Sequence, residues 1–395
     1  MPSAIVSVTN DLTTDQRVDR TCMTLVKAGY DVLLIGRRLK NSKTLTPRSY
    51  RMHRLRLLFN KGPLFYAGYN ITLFFFLLIH KYDLIVSNDL DTLPANYYAN
   101  LIKQPFLKKK IAKCKMQNAK LPIYHLHDCH EYFRGVPELV GRTAVTRIWK
   151  WFEDRIFPKL RAVVAVNRSV ADIYVREYGN NIEVIRNVPF RKSLSGAMDK
   201  TILNIHPDQK VILYQGAVNV DRGLEEAILT MKYLKTDAIL VIAGIGDIYE
   251  TLKKFTLEHG LSEKVRFLGQ VPFGDLHAYT LMANLGLSIE KDVCINYHYC
   301  LPNKFLDYIQ ANIPVLVSPF PEMKSIVDQY RIGEFIESHD PEILASHIDS
   351  MLNNSEKMAI YKHNLLHAAR DLCWEAEETR FCDVLRRMQE VIINY

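Results

Sequence analysis

A loop, a helix and a strand follow one another in Asn296-Tyr-His-Tyr-Cys-Leu-Pro-Asn-Lys-Phe-Leu-Asp-Tyr-Ile-Gln-Ala-Asn-Ile-Pro-Val-Leu-Val-Ser318. Pro302 can start the helix, because its missing N–H would be unbonded in a first helical turn anyway. Pro314 ends the helix, and the apolar run after it is typical of a buried parallel strand. Lys304 and Asp307 are three residues apart, so they share one helical face beside a helix start that favours anions. This arrangement suits a nucleotide, with phosphates near Lys304 and ribose hydroxyls on Asp307.

The size and composition are those of an ordinary two-domain globular protein. The chain has 395 residues, of which 48% are hydrophobic and 24% charged. Its seven cysteines show neither a CxxC pair nor a zinc-ligand spacing, which predicts a reducing, cytoplasmic location. The first residues enter a strand-like run without the basic start and apolar core of a signal peptide. The longest apolar run, Thr72–Ile79, is shorter than the roughly 20 residues that span a bilayer.

Positive charge is concentrated in the first half of the chain. Residues 1–200 carry 33 Lys and Arg against 16 Asp and Glu, whereas residues 201–395 carry 18 against 27. Such charge is either plain solvated surface or a docking surface for anionic lipid headgroups or a phosphorylated acceptor. The densest cluster, from Lys103 to Lys120, mixes cations with apolar side chains and fits a basic amphipathic element on the inner face of the plasma membrane. Nucleic acid is not expected as a partner, since no recognition motif accompanies the charge.

Short apolar strands alternate with helical stretches, and this alternation occurs twice. It predicts an α/β fold of two doubly wound parallel sheets with a ligand cleft between the two domains. We expect one domain at residues 1–187, a linker at 188–207 and a second domain at 208–370. The tail 371–395 is either a helix that crosses back to the first domain or an ordinary amphipathic helix of the second. The predicted strands are Ala4–Val8, Asp31–Ile35, Asp83–Val86, Pro122–Leu126, Ala162–Val166, Ile182–Ile185, Lys210–Tyr214, Ala238–Ile242, Val265–Leu268, Leu285–Ile289 and Pro314–Val317.

Two glycine turns follow predicted strands of the second domain. Gly216 ends one strand, and Arg222 and Gly223 stand where the next helix begins. Glycine lets the backbone approach a ligand, and an arginine at a helix start can bind a diphosphate bidentately. The alternative is a plain strand-to-helix loop with Arg222 in solvent. Gly244 and Gly246 form the second turn, which lacks the third glycine of a dinucleotide fingerprint.

Histidines and carboxylates crowd the end of a strand in the first domain. The run from His125 to Glu131 contains three His, one Asp and one Glu. A metal site is not expected there, because strand alternation directs these side chains to different sides. His130 is the candidate contact to a reacting sugar, whereas His125 lies inside the strand and is predicted to be structural. The acceptor side of the cleft could be lined by residues nearer the amino terminus, namely Asp15, Arg17, Arg20 and Arg37. Alternatively, this segment belongs to a helix capped by Thr13 or Thr14.

Taken together, these motifs resemble the GT-B glycosyltransferases, specifically the retaining family 4 enzymes of bacterial surface polysaccharide synthesis. The resemblance covers nearly the whole chain and rests on the order of its motifs. These are Asn10-Asp11…Asp15-Gln-Arg17, His127-Asp-Cys-His-Glu131, Gly216…Arg222-Gly223, Gly244-Ile-Gly246-Asp247 and Leu301-Pro-Asn-Lys-Phe-Leu-Asp-Tyr308.

The resemblance implies a metal-independent hexosyltransferase without a cofactor. The donor would be a UDP- or GDP-linked sugar bound by the second domain, and the acceptor a glycan or a lipid-linked glycan. The diphosphate of the donor would be neutralised by Arg222 and Lys304, and the ribose of the donor would be held by Asp307. His130 would contact the transferring sugar. Gly216, Gly223, Gly244, Gly246 and Asn303 would complete the nucleotide site.

The chain departs from the family pattern in three places. Tyr299 stands where the first glutamate of a Glu-x7-Glu pair is usual, and Asp307 takes the second position. Ala217 follows Gly216 where an arginine is common. Thr9-Asn10-Asp11 replaces a glycine-rich turn. Two other functions therefore stay open, a sugar-nucleotide 2-epimerase of the same fold and a non-catalytic partner subunit.

Overall fold

The chain folds into two compact units, and each unit has its own sheet. The computed structural model describes residues 1–114, 124–136, 139 and 141–390, with the backbone alone for 105–114. The first unit comprises Met1–Asn187 together with Glu378–Tyr395, and the second comprises Val188–Glu377. The segment 188–207, predicted as a linker, thus counts with the second unit and contains a short 3-10 helix at Lys200–Leu203.

The described part of the first unit contains seven parallel strands in the order β3-β2-β1-β4-β5-β6-β7. They are β1 (Ser3–Ser7), β2 (Asp31–Arg37), β3 (Arg51–Leu55), β4 (Leu84–Asn88), β5 (Tyr124–Cys129), β6 (Ala162–Ala165) and β7 (Ile182–Val184). The connecting helices are α1 (Gln16–Lys27), α2 (Gly62–Ile79), α3 (Asp89–Cys114), α4 (Thr143–Ile156) and α5 (Arg168–Tyr178). Apolar side chains of β1, β2 and β4 pack against α2 in the core.

The second unit, which the structure describes throughout, has six parallel strands in the order β10-β9-β8-β11-β12-β13. They are β8 (Lys210–Gln215), β9 (Ala238–Ala243), β10 (Val265–Gly269), β11 (Leu285–Ser288), β12 (Val315–Val317) and β13 (Gly333–Phe335). Its helices are α6 (Leu224–Tyr233), α7 (Tyr249–Glu258), α8 (Phe273–Leu281), α9 (Ile295–His298), α10 (Asn303–Gln310), α11 (Pro321–Tyr330), α12 (Pro341–Asn353) and α13 (Ser355–Asp371). The last helix, α14 (Trp374–Glu390), begins in this unit and ends among residues of the first.

Two parallel sheets with flanking helices confirm the predicted α/β fold class, but two strands were not predicted. Both β3 and β13 lie at the edge of their sheet. Polar residues occupy most of β3, and β13 has only three residues. Edge strands are paired on one side only and need less apolar sequence, so an apolar run does not reveal them.

The start of α1 also differs from the prediction. Asp15 caps this helix by accepting a hydrogen bond from the backbone N–H of Val18, so neither Thr13 nor Thr14 is the cap. Pro302 likewise precedes α10 as its capping residue and is not its first helical residue. Both differences are shifts of helix ends by one or two residues.

Candidate functional site

In the second unit, three neighbouring strands end in loops at the same edge of the sheet. β8 ends in Gln215-Gly216, β9 ends in Ala243-Gly244, and β11 leads through Ile289 into Glu290. Ligands of open parallel sheets bind beyond these carboxyl ends. The segments that the sequence singled out are therefore gathered at the edge where a ligand is expected.

The glycine turns of this edge are packed against one another. Gly244 has a φ of +147°, and a Cβ added to it would lie 1.8 Å from the carbonyl oxygen of Gly216. A Cβ on Gly246 would lie 2.3 Å from the carbonyl oxygen of Val218. These contacts explain the glycines by close approach of two loops. Contact of Gly216, Gly244 and Gly246 with a nucleotide stays a prediction.

Gly223 fixes the position of its neighbour Arg222. It caps α6 in a left-handed conformation with a φ of +72°, and a Cβ there would lie 2.3 Å from the carbonyl oxygen of Ile289. The loop after β8 thus packs directly on the end of β11. This packing brings the guanidinium of Arg222 close to the carboxylate of Glu290, with Nη1 3.6 Å from Oε1.

Glu290 joins the two predicted cations. Its fully buried carboxylate forms an ion pair with the ammonium of Lys304 and accepts a 2.9 Å hydrogen bond from Ser288 Oγ. Burial raises the pKa of Glu290, but the charge of Lys304 outweighs it and the net shift is downward. Burial lowers the pKa of Lys304, but Glu290 outweighs it and the net shift is upward. Both groups are therefore charged at neutral pH.

This cluster has two cations and one carboxylate, so it carries net positive charge beside the start of α10. Arg222 also lies over the ring of Tyr297, with its guanidinium carbon 4.3 Å from the ring centre. Its Nε is buried and makes no hydrogen bond to any residue that the structure describes. A positive helix start with an unused donor is suited to binding an anion. The structure thus brings the predicted Arg222 and Lys304 together around Glu290, and Asn303 precedes Lys304 at the start of α10.

Asp307 has partners other than those expected. Its Oδ1 lies 2.9 Å from the ammonium of Lys192, and its Oδ2 accepts a 3.1 Å hydrogen bond from Gln215 Nε2. Lys304 and Asp307 share a helical face as predicted, yet each makes its ion pair with a different residue. Any hydroxyl that binds Asp307 must share the carboxylate with Lys192 and Gln215.

Sequence reasoning missed Glu290, Lys192 and Gln215 as members of this site. Glu290 does not have the Glu-x7-Glu spacing to Asp307, and Lys192 lies in the segment predicted as a linker. The sequence did indicate Glu290 as a site residue, because a carboxylate just after a buried strand lies at the ligand-binding edge of the sheet. No comparable signal marks Lys192, which is 115 residues away from its partner in sequence.

In the first unit, His130 lies at the end of β5 among acidic and amide groups. Its Nε2 is 2.9 Å from Asn88 Oδ1 and 3.4 Å from Asp128 Oδ2, and its Nδ1 is 3.5 Å from Asp89 Oδ2. Burial lowers the pKa of His130, but the charges of Asp89 and Asp128 outweigh it and raise the pKa to about 9. The imidazole is therefore protonated at neutral pH and can donate a hydrogen bond. Its contact with a sugar stays a prediction.

Arg17 is a structural residue of the interior, contrary to the prediction that it lines the acceptor side. Its guanidinium makes a bidentate ion pair with Asp128 and donates a 2.7 Å hydrogen bond to the carbonyl of Ile185. Both side chains are buried. Burial raises the pKa of Asp128, but the charge of Arg17 outweighs it and holds the pKa well below its usual range. Arg17 thus fixes the carboxylate that faces His130.

Thr9 and Asp91 form a further polar contact at this edge. Thr9 Oγ1 donates a 2.6 Å hydrogen bond to Asp91 Oδ2. Burial and the nearby charge of Asp89 raise the pKa of Asp91 to about 7. His125 is structural as predicted, since its ring Nε2 lies 2.8 Å from Ser87 Oγ inside the sheet. Among the described residues, no three His, Cys, Asp or Glu side chains are grouped as metal ligands.

Two family models match successive parts of the chain. Residues 15–188 match the model described as glycosyltransferase family 4, and residues 198–366 match that described as glycosyl transferases group 1. An uncharacterized glycosyltransferase of Methanocaldococcus jannaschii is 26% identical over 180 residues. That match spans 45% of this chain and 42% of the relative, so the chain spans less than half of the curated relative that it matches.

Solved structures share the fold over nearly the whole chain. Sucrose-phosphate synthase from Thermosynechococcus elongatus has a TM-score of 0.76 at 17% identity, covering 99% of this chain and 100% of that one. HepE of Anabaena, solved with UDP, has a TM-score of 0.70 at 14% identity, covering 98% and 100%. WaaG, a glycosyltransferase involved in lipopolysaccharide biosynthesis, has a TM-score of 0.66 at 14% identity, covering 95% and 99%. With two matching family models and this fold, the chain belongs to the GT-B glycosyltransferases of family 4.

Proposed function

We propose that this protein transfers a hexose from a nucleotide-sugar donor to a glycan or lipid-linked acceptor, with retention of anomeric configuration. The observation that carries the proposal is the cluster of Arg222, Glu290 and Lys304 at the start of α10. Its net positive charge lies where a parallel sheet receives its ligand, and a departing diphosphate is the group it would stabilise. We further propose that the enzyme works in the bacterial cytoplasm, in surface polysaccharide synthesis.

A UDP-linked sugar is the preferred donor, and a GDP-linked sugar is the second choice. HepE, whose fold is similar, was solved with UDP and with UDP-glucose. In the proposed site, Arg222 and Lys304 contact the diphosphate, and Asp307 shares its carboxylate between the ribose and Lys192. The glycine turns at Gly216 and Gly244 let the backbone approach the nucleotide.

The reaction that follows breaks the bond between the sugar's anomeric carbon and the diphosphate oxygen. The acceptor hydroxyl forms the new bond on the face that the diphosphate leaves, and its proton passes to the released diphosphate. Negative charge grows on the leaving group, so fixed cations lower the barrier without a protein nucleophile or a metal ion. Protonated His130 donates a hydrogen bond to the transferring sugar.

Binding to a panel of UDP- and GDP-sugars, measured by thermal shift, tests the donor. Arg222→Gln should weaken binding of the matching nucleotide by at least about tenfold, because a hydrogen-bonded charge contributes about 1.5–3 kcal/mol. Arg266→Gln is the matched control, since this arginine of the same unit is similarly exposed but lies on the edge strand β10. If neither nucleotide stabilises the protein, or if both variants bind alike, the donor site is not at Arg222.

The same panel of nucleotide sugars distinguishes the proposed transferase from the two alternative functions, an epimerase and a non-catalytic partner subunit. Conversion of UDP-GlcNAc to its 2-epimer without an acceptor would identify an epimerase. A protein that binds no nucleotide sugar, yet is required for glycan output in cells, would be a partner subunit. Donor consumption that needs an acceptor, with an anomeric configuration that NMR finds unchanged, is the result expected for the proposed transferase.

A further inference from the structure

A long part of the first unit contains cations and no carboxylates. Between Asp31 and Asp83 the sequence has no Asp or Glu. The same interval has ten cations: Arg37, Arg38, Lys40, Lys43, Arg48, Arg51, Arg54, Arg56, Lys61 and Lys81. It spans the edge strand β3 and helix α2, which follow one another along the chain. This part of the unit is therefore strongly attractive to polyanions.

Helix α2 buries one stripe of apolar side chains and leaves the opposite stripe exposed. Its buried residues, four apart, pack on the sheet: Phe65, Tyr69, Leu73 and Leu77. Its exposed side chains include Leu64, Ile71, Phe75 and Ile79, each more than half exposed. The loop before the helix adds Leu58, which is 95% exposed, and Phe59. Exposed apolar side chains so closely spaced mark an interaction surface.

By length and composition alone, α2 could cross a membrane. Its inner side, however, is tied into the unit by polar contacts. The hydroxyl of Tyr69 donates to the carbonyl of Val8, and Asn70 bonds both the carbonyl of Asp91 and the N–H of Ala95. A spanning helix would lose these bonds together with the core stripe. The helix is therefore built to lie on a surface and not to pass through one.

Unpaired cations surround the exposed stripe. Arg56 and Lys61 flank Leu58 and Phe59, and Lys81 follows the end of α2. All three are exposed, and the described residues offer none of them an acidic partner. Arg51, by contrast, is paired with Asp31 at 2.6 Å. Arg56, Lys61 and Lys81 therefore place uncompensated positive charge at the border of the apolar surface.

Helix α4, which packs against α2, also carries a half-exposed tryptophan. Trp151 is 49% exposed, and the guanidinium carbon of Arg155 lies 3.9 Å from its ring centre. Trp149, two residues earlier, packs edge-on against Tyr66 of α2 with ring centres 5.3 Å apart. Tryptophans with a cation beside them are favoured at the boundary between lipid tails and headgroups.

We propose that the exposed stripe of α2, with Leu58 and Phe59, docks in the plane of an anionic lipid surface. The apolar side chains enter the boundary of the acyl chains while Arg56, Lys61 and Lys81 meet the phosphates of the headgroups. Charge complementarity favours lipid over a second copy of this chain, whose same surface would repel the first. This docking surface is not the predicted cluster Lys103–Lys120.

That cluster contributes little that the structure describes. Residues 115–120 lie outside the described residues, and the side chains of Lys108–Lys110 are not described. Lys103 is directed inward, where its ammonium donates to the carbonyls of Leu77 and His80 and lies 4.2 Å from the ring centre of Tyr82. The surface around α2 is therefore the better supported one.

Flotation of the full chain with vesicles tests the proposal. The protein should float with phosphatidylcholine vesicles that contain phosphatidylglycerol, and much less with phosphatidylcholine alone. The double variant Ile71→Ser with Phe75→Ser, and the triple variant Arg56→Gln, Lys61→Gln and Lys81→Gln, should each lower vesicle binding at least about tenfold. High salt should weaken vesicle binding by the wild type without abolishing it, because salt does not screen the apolar contacts with the lipid.

Matched controls come from the second unit. Leu257→Ser with Ile360→Ser alters two apolar residues that are at least about as exposed as Ile71 and Phe75. The triple variant Lys232→Gln, Lys235→Gln and Lys254→Gln removes the same number of exposed charges. Both controls should float like the wild type, and all variants should keep its unfolding temperature and its nucleotide binding. The docking proposal and the proposed sugar transfer can therefore fail separately.

Three results would overturn the inference. One is a wild type that stays with the unbound fraction at low salt, and another is α2 variants that float as well as the controls. A third is a wild-type dimer, measured by light scattering, that the apolar variant converts to monomers while vesicle binding is unchanged. In that case the surface is an interface between copies of the chain.

Discussion

Lys192 Nζ lies 2.9 Å from Asp307 Oδ1, and these residues are 115 positions apart in sequence. The other oxygen of the same carboxylate accepts a hydrogen bond from Gln215. The carboxylate that the family pattern assigns to a ribose is thus already paired within the second unit. Nucleotide binding at Asp307 is therefore a competition between ligand hydroxyls and a lysine of this chain.

Substitutions at the two ends of this pair should have different effects on nucleotide affinity. Asp307→Asn removes the charge that a ribose hydroxyl would bond, and should weaken UDP binding by up to about tenfold. Lys192→Gln removes the competitor and should leave binding unchanged or tighter. Isothermal titration with UDP measures both. Equal losses in the two variants would mean that Lys192 itself contacts the ligand.

Glu290→Gln should destabilise the protein and increase its response to nucleotide. The substitution leaves the buried ammonium of Lys304 without its counter-charge, and breaking a buried ion pair costs about 3–5 kcal/mol. A bound diphosphate can supply the missing negative charge. Thermal unfolding with and without UDP should therefore give a larger stabilisation in Glu290→Gln than in the wild type.

Glu334→Gln is the control for that experiment. Glu334 lies on β13 and pairs with Lys357 at 2.7 Å and with His347 at 2.9 Å. Its replacement should lower stability as well, but the stabilisation by UDP should equal that of the wild type. An unchanged UDP response in Glu290→Gln would place the diphosphate away from Lys304.

The stability of the protein should fall as pH rises from about 7 to about 9. The pKa of His130 is raised to about 9 in the folded state, above the ordinary value of 6.5. A group with a raised folded pKa stabilises the protein fully below its unfolded pKa and loses that contribution as pH passes the folded pKa. Asp91 also has a raised pKa, but at about 7 its contribution is already largely lost.

His130→Asn should flatten this pH dependence. Urea unfolding of the wild type and the variant at about pH 7 and about pH 9 measures the difference between the two slopes. The wild type should lose more stability than the variant over this interval. Parallel profiles would show that the imidazole is not held in its protonated form by Asp89 and Asp128.

Gly244→Ala should destabilise the second unit and abolish nucleotide binding. The added methyl would lie 1.8 Å from the carbonyl oxygen of Gly216 at a φ of +147°, so the two loops must separate. Gly274→Ala in α8 is the control, because nothing lies within 4 Å of its added methyl. That substitution should be neutral or stabilise by about 0.5–1 kcal/mol, as measured by urea unfolding.

The sequence predicted most of the fold because buried parallel strands are apolar runs that need no knowledge of their partners. The edge strands Arg51–Leu55 and Gly333–Phe335 lack such runs and were missed. Arg222 and Lys304 were predicted from local context, a cation beside a strand end or helix start. Glu290 and Lys192 were not, because their importance depends on which distant side chain they meet, and only tertiary packing fixes that.

The first unit is made up of two distant parts of the chain, since Glu378–Tyr395 group with Met1–Asn187. Gln389 donates a 3.0 Å hydrogen bond to the hydroxyl of Tyr30, Glu378 accepts one from Thr24, and the side chain of Phe381 is buried. Translation proceeds from the amino terminus, so the ribosome releases the described strands of this unit long before the helix that completes it. The unit that is synthesised first is therefore completed last, after the whole second unit has emerged.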